Sequence, residues 1–343
     1  MTSCLCQRLV TLLALCGFAT LAIAQEKTKA LADRELLALV AGNALSENVV
    51  HEIDSRGVAF RPSDPYRSQL TLAGADVPEL AALGKAKISE PTANTENKST
   101  SELLQHLASA GKLMRAQQYQ AAAEELNGAL LAGAGPEAGF VMGEVLRRQQ
   151  QWPLAASVYE EVLHKDPGFP EAHTKFSYLL YRICYPEESL GEAEAALART
   201  PDNAEAHKNA GLALQILGQF RAATAEYKEA LRIKPDYDAV HYDLGILLYS
   251  QGDLDGSVAE YRKALALNPQ DADAHTNLGL SLKEKGDLAS AVREYREAKR
   301  LDPKNIEARQ GLGSALVASD LNAEAAVEFR ELEAMAPDSR HPR

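Results

Sequence analysis

The chain repeats one pattern of apolar and small residues at an interval of 34 positions. Six prolines mark the interval: Pro167, Pro201, Pro235, Pro269, Pro303 and Pro337. A spacing kept over six units indicates an array of structural repeats, because chance does not produce it. The units run over residues 136–169, 170–203, 204–237, 238–271, 272–305 and 306–339, and a weaker unit precedes them at about 103–135.

The pattern inside each unit predicts two antiparallel helices. Small residues that allow close helix packing recur on both helices, as Gly211, Gly245, Gly279 and Gly313 on the first and Ala223, Ser257, Ala291 and Ala325 on the second. A glycine lies between the helices in three units, at Gly218, Gly252 and Gly286, where a left-handed C-cap favours a residue without Cβ. Aromatic residues give the second helix its bulk, namely Tyr159, Tyr227, Tyr261, Tyr295 and Phe329.

This pattern resembles the tetratricopeptide repeat family, as in "HTNLGLSLKEKGDLASAVREYREAKRLDP" at residues 275–303. The resemblance covers residues 103–339 and implies an all-α fold, a right-handed superhelical solenoid of antiparallel helix pairs. Unit 170–203 departs from the family pattern, with Phe176, Ser177 and Cys184 in place of the expected Leu, Gly and Gly. We expect its turn to be distorted, with Tyr185 and Pro186 reshaping it.

Residues 1–24 have the pattern of a secretory signal peptide: the cation Arg8, an apolar run from Leu9 to Ala24 and small residues before Gln25. We therefore expect an exported protein, in a periplasm-like or extracellular space. A retained anchor helix is an alternative, although the apolar run is short for a membrane span. A lipidated Cys16 is a second alternative.

Residues 25–88 predict a small helical module in front of the repeats. Ser46 caps a first helix that ends at Gly57, and a second helix ends at Gly74. Asp76 and Glu79 form a capping-box start for a third. The polar residues 89–101 predict a linker, so the array is expected to occupy residues 102–339, with a tail at 340–343.

Composition and charge limit the classes of function. Aromatic residues make up only 6% of the chain, which favours helices packed through small side chains over a sheet. The formal net charge of -12 disfavours general nucleic-acid binding, because carboxylates repel phosphates. The sequence holds no GxxxxGK[ST] loop, no GxSxG elbow and no HExxH motif. We therefore expect neither an enzyme nor a cofactor.

Four histidines recur at the repeat interval: His173, His207, His241 and His275. Equivalent residues of stacked helices lie roughly 8–10 Å apart. Nitrogens that share a zinc ion each lie about 2.0–2.1 Å from it. We therefore expect these histidines to pack as half-buried repeat residues, and we expect no metal site.

The family resemblance implies a groove lined by the first helix of each unit. The residues that it places there are Arg147, Arg148, Tyr178, Tyr181, Arg182, Lys208, Asn209, Tyr242, Asp243, Tyr249 and Asn277. We expect an extended peptide in this groove, its backbone bound by the three residues Asn209, Asp243 and Asn277. Tyrosines would pack its side chains, and the cations would attract its carboxylates. A purely structural interpretation also holds, because cations are favoured near helix C-termini.

These observations predict a non-catalytic protein-interaction scaffold that contacts a membrane only if the leader is retained. Two other interpretations remain open. The chain could be a recruiting or regulatory subunit of an envelope enzyme system, with the front module acting on a partner. It could also be a self-associating structural protein, although charged residues on the last helix, such as Glu324 and Glu331, would solvate that end.

Overall fold

The computed structural model describes residues 30–89, 98–131, 134–169 and 171–335. These residues form eighteen α-helices and no strand, only isolated β-bridges, which confirms the all-α prediction. The predicted signal peptide at 1–24 and tail at 340–343 lie outside the described residues, as does most of the predicted linker. The chain divides into two compact units, residues 1–209 and 210–343, which we call the first unit and the second unit. The 34-residue repeat units are named by their residues.

The first unit begins with the predicted front module, which contains four helices. They are α1 (Asp33–Ala41), α2 (Ser46–Arg56), α3 (Asp64–Ala73) and α4 (Val77–Lys85). The repeat helices of this unit are α5 (Lys98–Arg115), α6 (Tyr119–Leu131), α7 (Pro136–Arg148), α8 (Trp152–Lys165), α9 (Ala172–Arg182) and α10 (Pro186–Arg199). Helix α11 (Ala204–Ile216) contains the division between the units.

The helix ends of the front module follow their predicted capping residues in three of four cases, including Gly74 after α3. Asp76 and Glu79 exchange the capping-box hydrogen bonds, at 2.9 and 2.8 Å, as predicted. Gly57 ends α2 with a φ of 69°, also as predicted. The Ser46 cap is wrong, because α2 begins at Ser46 and Leu45 is the N-cap. The carbonyl of Leu45 accepts a hydrogen bond from the amide of Val49 at 3.0 Å, so the helix begins one residue earlier than predicted.

The front module shares a hydrophobic core with the repeats of the first unit. Buried side chains from Leu31 to Leu179 form one cluster. Close packing depends on Gly111 in α5, where a Cβ would lie 2.9 Å from the carbonyl oxygen of Ala73 and 3.1 Å from the Cβ of Ala41. Small residues on α1, α3 and α5 thus allow these helices to cross at short distance.

The second unit continues the helix pairs. Its helices after α11 are α12 (Phe220–Ile233), α13 (Asp238–Ser250), α14 (Leu254–Leu267), α15 (Ala272–Glu284), α16 (Leu288–Leu301), α17 (Ile306–Ala318) and α18 (Asn322–Met335). A glycine of the first helix in a pair lies against the aromatic ring sixteen positions later. A Cβ at Gly245 would lie 2.7 Å from the ring of Tyr261, so only glycine fits beneath it.

Unit 170–203 packs its two helices together with different residues. Its Ser177 stands where the other five regular units have glycine, and Ala193 stands where they have an aromatic ring. The missing ring leaves room for the hydroxyl of Ser177, which donates to the carbonyl oxygen of Ser189 at 2.7 Å. Ser189 returns a hydrogen bond to the carbonyl of Ser177 at 2.9 Å. A reciprocal polar pair therefore replaces the aromatic packing.

The predicted distortion of the turn in unit 170–203 is wrong. Cys184 adopts a left-handed φ of 66°, close to the 73° of Gly218 at the equivalent position. The same hydrogen bond also closes both turns, from Tyr185 to Leu180 and from Gln219 to Leu214, each at 2.9 Å. The irregularity lies instead at the start of α9, where Glu171 has a φ of 62°.

None of the helices in the described part of the chain combines the length and the apolar character that crossing a bilayer requires.

Candidate functional site

Tyr178 of α9 lies at the centre of a group of cationic side chains in the first unit. The ammonium of Lys208 lies 5.2 Å from the centre of its ring, and the guanidinium carbons of Arg147 and Arg182 each lie 6.0 Å from it. A guanidinium nitrogen of Arg182 also donates to the hydroxyl of Tyr178 at 3.2 Å. Cations are attracted to the face of an aromatic ring at these distances.

Trp152 extends this arrangement at the start of α8. The guanidinium carbon of Arg182 lies 4.3 Å from the centre of its ring, which places the cation between Trp152 and Tyr178. Tyr181 adds a third ring, 6.3 Å from that of Tyr178. We call Arg147, Trp152, Tyr178, Tyr181, Arg182 and Lys208 the Tyr178 cluster. Its rings are half-buried, and Arg182 is exposed.

A buried carboxylate fixes Arg147 within the cluster. Glu144 is 1% exposed and binds Arg147 through both oxygens, at 2.6 Å to Nε and 2.7 Å to Nη2. Burial opposes the charge of Arg147, but the hydrogen bond and charge of Glu144 outweigh it and raise the pKa of the guanidinium. Glu144 also accepts from Nε of Arg148 at 2.9 Å. The carboxylate of Glu144 therefore compensates much of the charge of Arg147.

A second buried ion pair lies beneath the cluster. The ammonium of Lys175 donates to Glu205 at 2.8 Å, and their side chains are only 7% and 13% exposed. Burial opposes both charges, yet the pKa of Lys175 is raised and that of Glu205 is lowered, because each stabilises the other. Lys208 lowers the pKa of Glu205 further. This pair holds α9 against the start of α11.

Glu171 is a third buried carboxyl group in this region. Burial raises its pKa to about 7, although Lys175 partly opposes the shift. Its Oε1 accepts from the amide of Asn203 at 2.9 Å, whereas its Oε2 is buried without a hydrogen-bond partner. Glu171 is therefore only partly ionised at neutral pH.

The balance of charge in this region is positive, although the chain as a whole is acidic. Five cations lie on α7, α9 and the start of α11: Arg147, Arg148, Lys175, Arg182 and Lys208. Two carboxylates, Glu144 and Glu205, pair with them. The cations therefore outnumber these carboxylates, and Glu137 of α7 is the one further acidic residue of these helix segments besides Glu171.

The other predicted groove residues of the first unit lie elsewhere. The side chain of Asn209 is fully buried, and its amide donates to the carbonyl oxygen of Thr174 at 2.9 Å. Its Oδ1 is buried without a hydrogen-bond partner. Arg148 lines a separate cavity together with Arg115. Arg147, Tyr178, Tyr181, Arg182 and Lys208 are thus the predicted residues that the first unit brings together.

In the second unit, two of the predicted residues bind each other. The amide of Asn277 donates to the hydroxyl of Tyr242 at 2.9 Å. Burial raises the pKa of Tyr242, whose ring packs 5.9 Å from that of Tyr261. Asp243 and Tyr249 lie on α13 with Tyr242, and both are partly exposed. Burial also raises the pKa of Tyr249.

The repeated histidines each have their own partners. Nδ1 of His173 lies 2.6 Å from Glu192, that of His241 2.6 Å from Glu260 and that of His275 2.7 Å from Glu294. Nε2 of each also faces the carbonyl oxygen of the proline six positions earlier, as between His241 and Pro235 at 3.2 Å. The histidines thus join the two helices of a unit to the loop before it. No cluster of potential metal ligands occurs among the residues that the structure describes.

Sequence reasoning missed several residues of the site. Trp152, the only tryptophan in the chain, lies on a second helix, whereas the family resemblance directs attention to the first. The sequence also does not show that Lys175 and Glu205, thirty positions apart, neutralise each other. A basic residue and an acidic residue thirty positions apart are a weak signal, since the repeat itself produces many such pairs.

Comparison with known proteins gives the same fold. A family model described as "TPR repeat" matches residues 213–252 and 246–286, and models described as "Tetratricopeptide repeat" match 272–305 and 108–173. A solved structure of PilW, described as a widely conserved type IV pilus biogenesis factor, is 23% identical and has a TM-score of 0.56. The match covers 64% of this chain and 100% of that one.

Two further solved structures are similar. PilF of Pseudomonas aeruginosa is 18% identical, with 60% of this chain and 93% of that chain covered and a TM-score of 0.53. MamA of Desulfovibrio magneticus RS-1 is 22% identical, with 54% and 97% covered and a TM-score of 0.45. No curated protein sequence matches this chain. At these identities the structural likeness concerns the fold alone.

Proposed function

This chain belongs to the tetratricopeptide repeat family, and we propose that it is a non-catalytic scaffold that binds an extended acidic segment of a partner protein at the Tyr178 cluster. The observation that carries the proposal is the convergence of Arg147, Arg182 and Lys208 on one half-buried ring. These cations form a local basic surface on a chain of net charge -12.

The cluster offers two kinds of contact to a peptide. Arg182 and Lys208 present their charges beside aromatic rings, so they can pair with carboxylates, while Tyr178 and Tyr181 supply flat apolar surface for the side chains between them. The buried pairs beneath hold the helices in place before binding, which lowers the ordering cost of association. Asn209 supports the cluster from the buried side of α9, because its side-chain amide binds the backbone carbonyl of Thr174.

Export is part of the proposal. It rests on the signal-peptide pattern of residues 1–24, and it places the scaffold in the periplasm or outside the cell. Expression of the full chain followed by amino-terminal sequencing of the mature protein tests it. A new terminus near Gln25 supports export, whereas a retained leader supports the anchor alternative.

Binding of matched peptides tests the proposed site. The probe is a fluorescent decapeptide with alternating Glu and Leu, compared with the same peptide carrying Gln in place of Glu. Arg182→Glu and Lys208→Glu are each expected to weaken binding of the Glu peptide tenfold or more, which corresponds to about 1.4 kcal/mol. Lys165→Glu is the matched control, because Lys165 is a 49% exposed cation that also lies in the first unit, residues 1–209. Equal binding of both peptides, or unchanged binding by both variants, contradicts the proposal.

Self-association is a second candidate function, which the last helix favours. Of the residues of α18, only Ala325 is buried, while Val327 and Phe329 are 43% and 40% exposed. Of its carboxylates, Glu328 is largely buried and accepts from Lys299 at 2.8 Å, whereas Glu324 and Glu331 remain about half exposed, as expected. Sedimentation equilibrium of the wild type and Val327→Glu tests this candidate. A monomeric wild type contradicts it.

A further inference from the structure

The first unit contains a second candidate site, which is distinct from the Tyr178 cluster. A cavity of about 220 Å³ lies among α1, α3, α5, the turn after α5 and the end of α7. Its buried walls are apolar and include Val40, Ala73 and Met114, whereas its exposed residues are polar and include Arg115 and Arg148. The accessible surface of this cavity is mainly polar, and apolar side chains close its inner side. Small-molecule sites likewise combine apolar walls with polar groups that fix the orientation of the ligand.

The cavity has cations but no carboxylate. Two guanidinium groups, those of Arg115 and Arg148, face it, and no Asp or Glu belongs to its lining. Arg148 donates a hydrogen bond to Glu144 through Nε only, and its terminal nitrogens make no hydrogen bond to any described residue. Burial without a carboxylate partner lowers the pKa of Arg115. Within the described structure, Arg115 therefore has no carboxylate partner, and Arg148 shares that of Glu144 with Arg147.

The guanidinium of Arg115 lies against the end of α3. One terminal nitrogen donates to the carbonyl oxygen of Leu72 at the end of α3. The other lies over Gly74, where a Cβ would collide with it and where φ is +122°. A glycine thus makes room for the cation at the opening.

We propose that this cavity binds a small monocarboxylate with an apolar group, its carboxylate between Arg115 and Arg148 and its apolar group against Val40, Ala73 and Met114. A planar guanidinium pairs with a carboxylate through two parallel hydrogen bonds. The volume equals that of about seven water molecules, which suits a molecule of the size of one capped amino acid. The carboxylate belongs either to the C-terminal residue of a peptide or to a free short-chain acid.

Calorimetric titration of the full chain tests this proposal. The probes are N-acetyl-leucine for a peptide C-terminus, hexanoate for a free acid, N-acetyl-leucine amide without a carboxylate, and inorganic phosphate without an apolar group. At least one of the two acids is expected to saturate a single site, with the amide and phosphate at least tenfold weaker. The acid that binds more tightly identifies the source of the carboxylate. No saturable binding of either acid, or equal binding of the amide or phosphate, overturns the proposal.

Substitutions place the binding in the cavity. Arg148→Gln is expected to weaken binding of the better acid at least fivefold without lowering the melting temperature, because Arg147 still pairs with Glu144. Arg115→Lys keeps a cation but loses the two-pronged geometry, and it should weaken binding as well. Arg61→Gln is the control, since Arg61 is exposed and lies outside the lining. Unchanged affinity in Arg148→Gln overturns the assignment. The result is independent of the Tyr178 cluster, because Arg182→Glu leaves the cavity intact.

Discussion

Asn48 of the front module donates from its side-chain amide to the Oδ1 of Asn203, 155 residues later in the chain, at 3.2 Å. Both side chains are buried, at 3% and 1% exposure. Asn203 also caps α11 by accepting from the amide of Ala206 and donates to Glu171 and Thr174. The front module is therefore tied into the polar network beneath the Tyr178 cluster.

Asn203→Ala is expected to lower the free energy of unfolding by about 2–3 kcal/mol, because it leaves several buried groups without partners. Asn305→Ala is the matched control, since Asn305 caps α17 in the same way and donates to Thr276 in a more exposed setting. The control should lose only about 1 kcal/mol, the usual cost of a cap. Urea unfolding followed by circular dichroism measures both. Equal losses would show that the contacts of Asn203 with Asn48 and Glu171 add nothing.

Glu171 should make stability depend on pH. Its folded pKa, raised by burial to about 7, lies above the ordinary value of 4.5, so its favourable contribution is present at low pH and is lost as pH rises toward 7. Glu171→Gln keeps the neutral shape of the group. It should raise the melting temperature at pH 8 by about 2–4 °C and change it little at pH 5. Glu194→Gln, an exposed carboxylate of α10, is the control. The same effect at both pH values would contradict the expectation.

We expect the histidine position to tolerate arginine but not an apolar residue. Arg309 makes the corresponding contacts in its own unit, donating to the carbonyl of Pro303 and to Glu331, each at 2.8 Å. We therefore expect His275→Arg to keep the stability of the wild type. His275→Leu should lower the free energy of unfolding by about 1 kcal/mol, because Glu294 and the Pro269 carbonyl lose a partner. Denaturant unfolding of the two variants compares them, and equal stability would contradict the bridging role.

Turn residues that carry a Cβ and adopt a left-handed conformation are strained, and replacing them with glycine should relieve that strain. Gln150 has a φ of 60° at the position where three other units have glycine. A left-handed conformation costs a residue with Cβ about 1–2 kcal/mol, and the added flexibility of glycine in the unfolded chain offsets about 0.4–1 kcal/mol. Gln150→Gly should therefore stabilise the protein by up to about 1.5 kcal/mol. Gly252→Ala, at a φ of 80°, should destabilise it. Melting temperatures of both variants test this, and shifts of the same sign would contradict it.

The sequence predicted the helices well where one local cause determines them. The 34-residue period, the glycines beneath aromatic rings and the turn glycines each fix geometry within one unit. The turn prediction failed at Cys184 because the hydrogen bonds of the turn impose a left-handed residue whatever its side chain is. The packing at Ser177 was equally hidden, since it depends on the loss of a ring at Ala193.

The site could be predicted only in part. The resemblance brought Arg147, Tyr178 and Arg182 together, because they lie on first helices of adjacent units. It did not reveal that Glu144 neutralises Arg147 or that Asn209 is buried, since both depend on pairing between side chains. The peptide-binding role of Asp243, Tyr249 and Asn277 stays a prediction.

Trp152 offers the most direct measurement of the central claim, because the only tryptophan of the chain packs against Arg182 inside the proposed site. Titration with the Glu-containing decapeptide should change its fluorescence in a saturable manner, and 0.5 M salt should weaken the binding, since the attraction is electrostatic. The Gln-containing peptide and the Arg182→Glu variant should give little change. A fluorescence signal that stays constant while the Glu peptide binds would show that the peptide lies elsewhere, and it would contradict the assignment of the Tyr178 cluster.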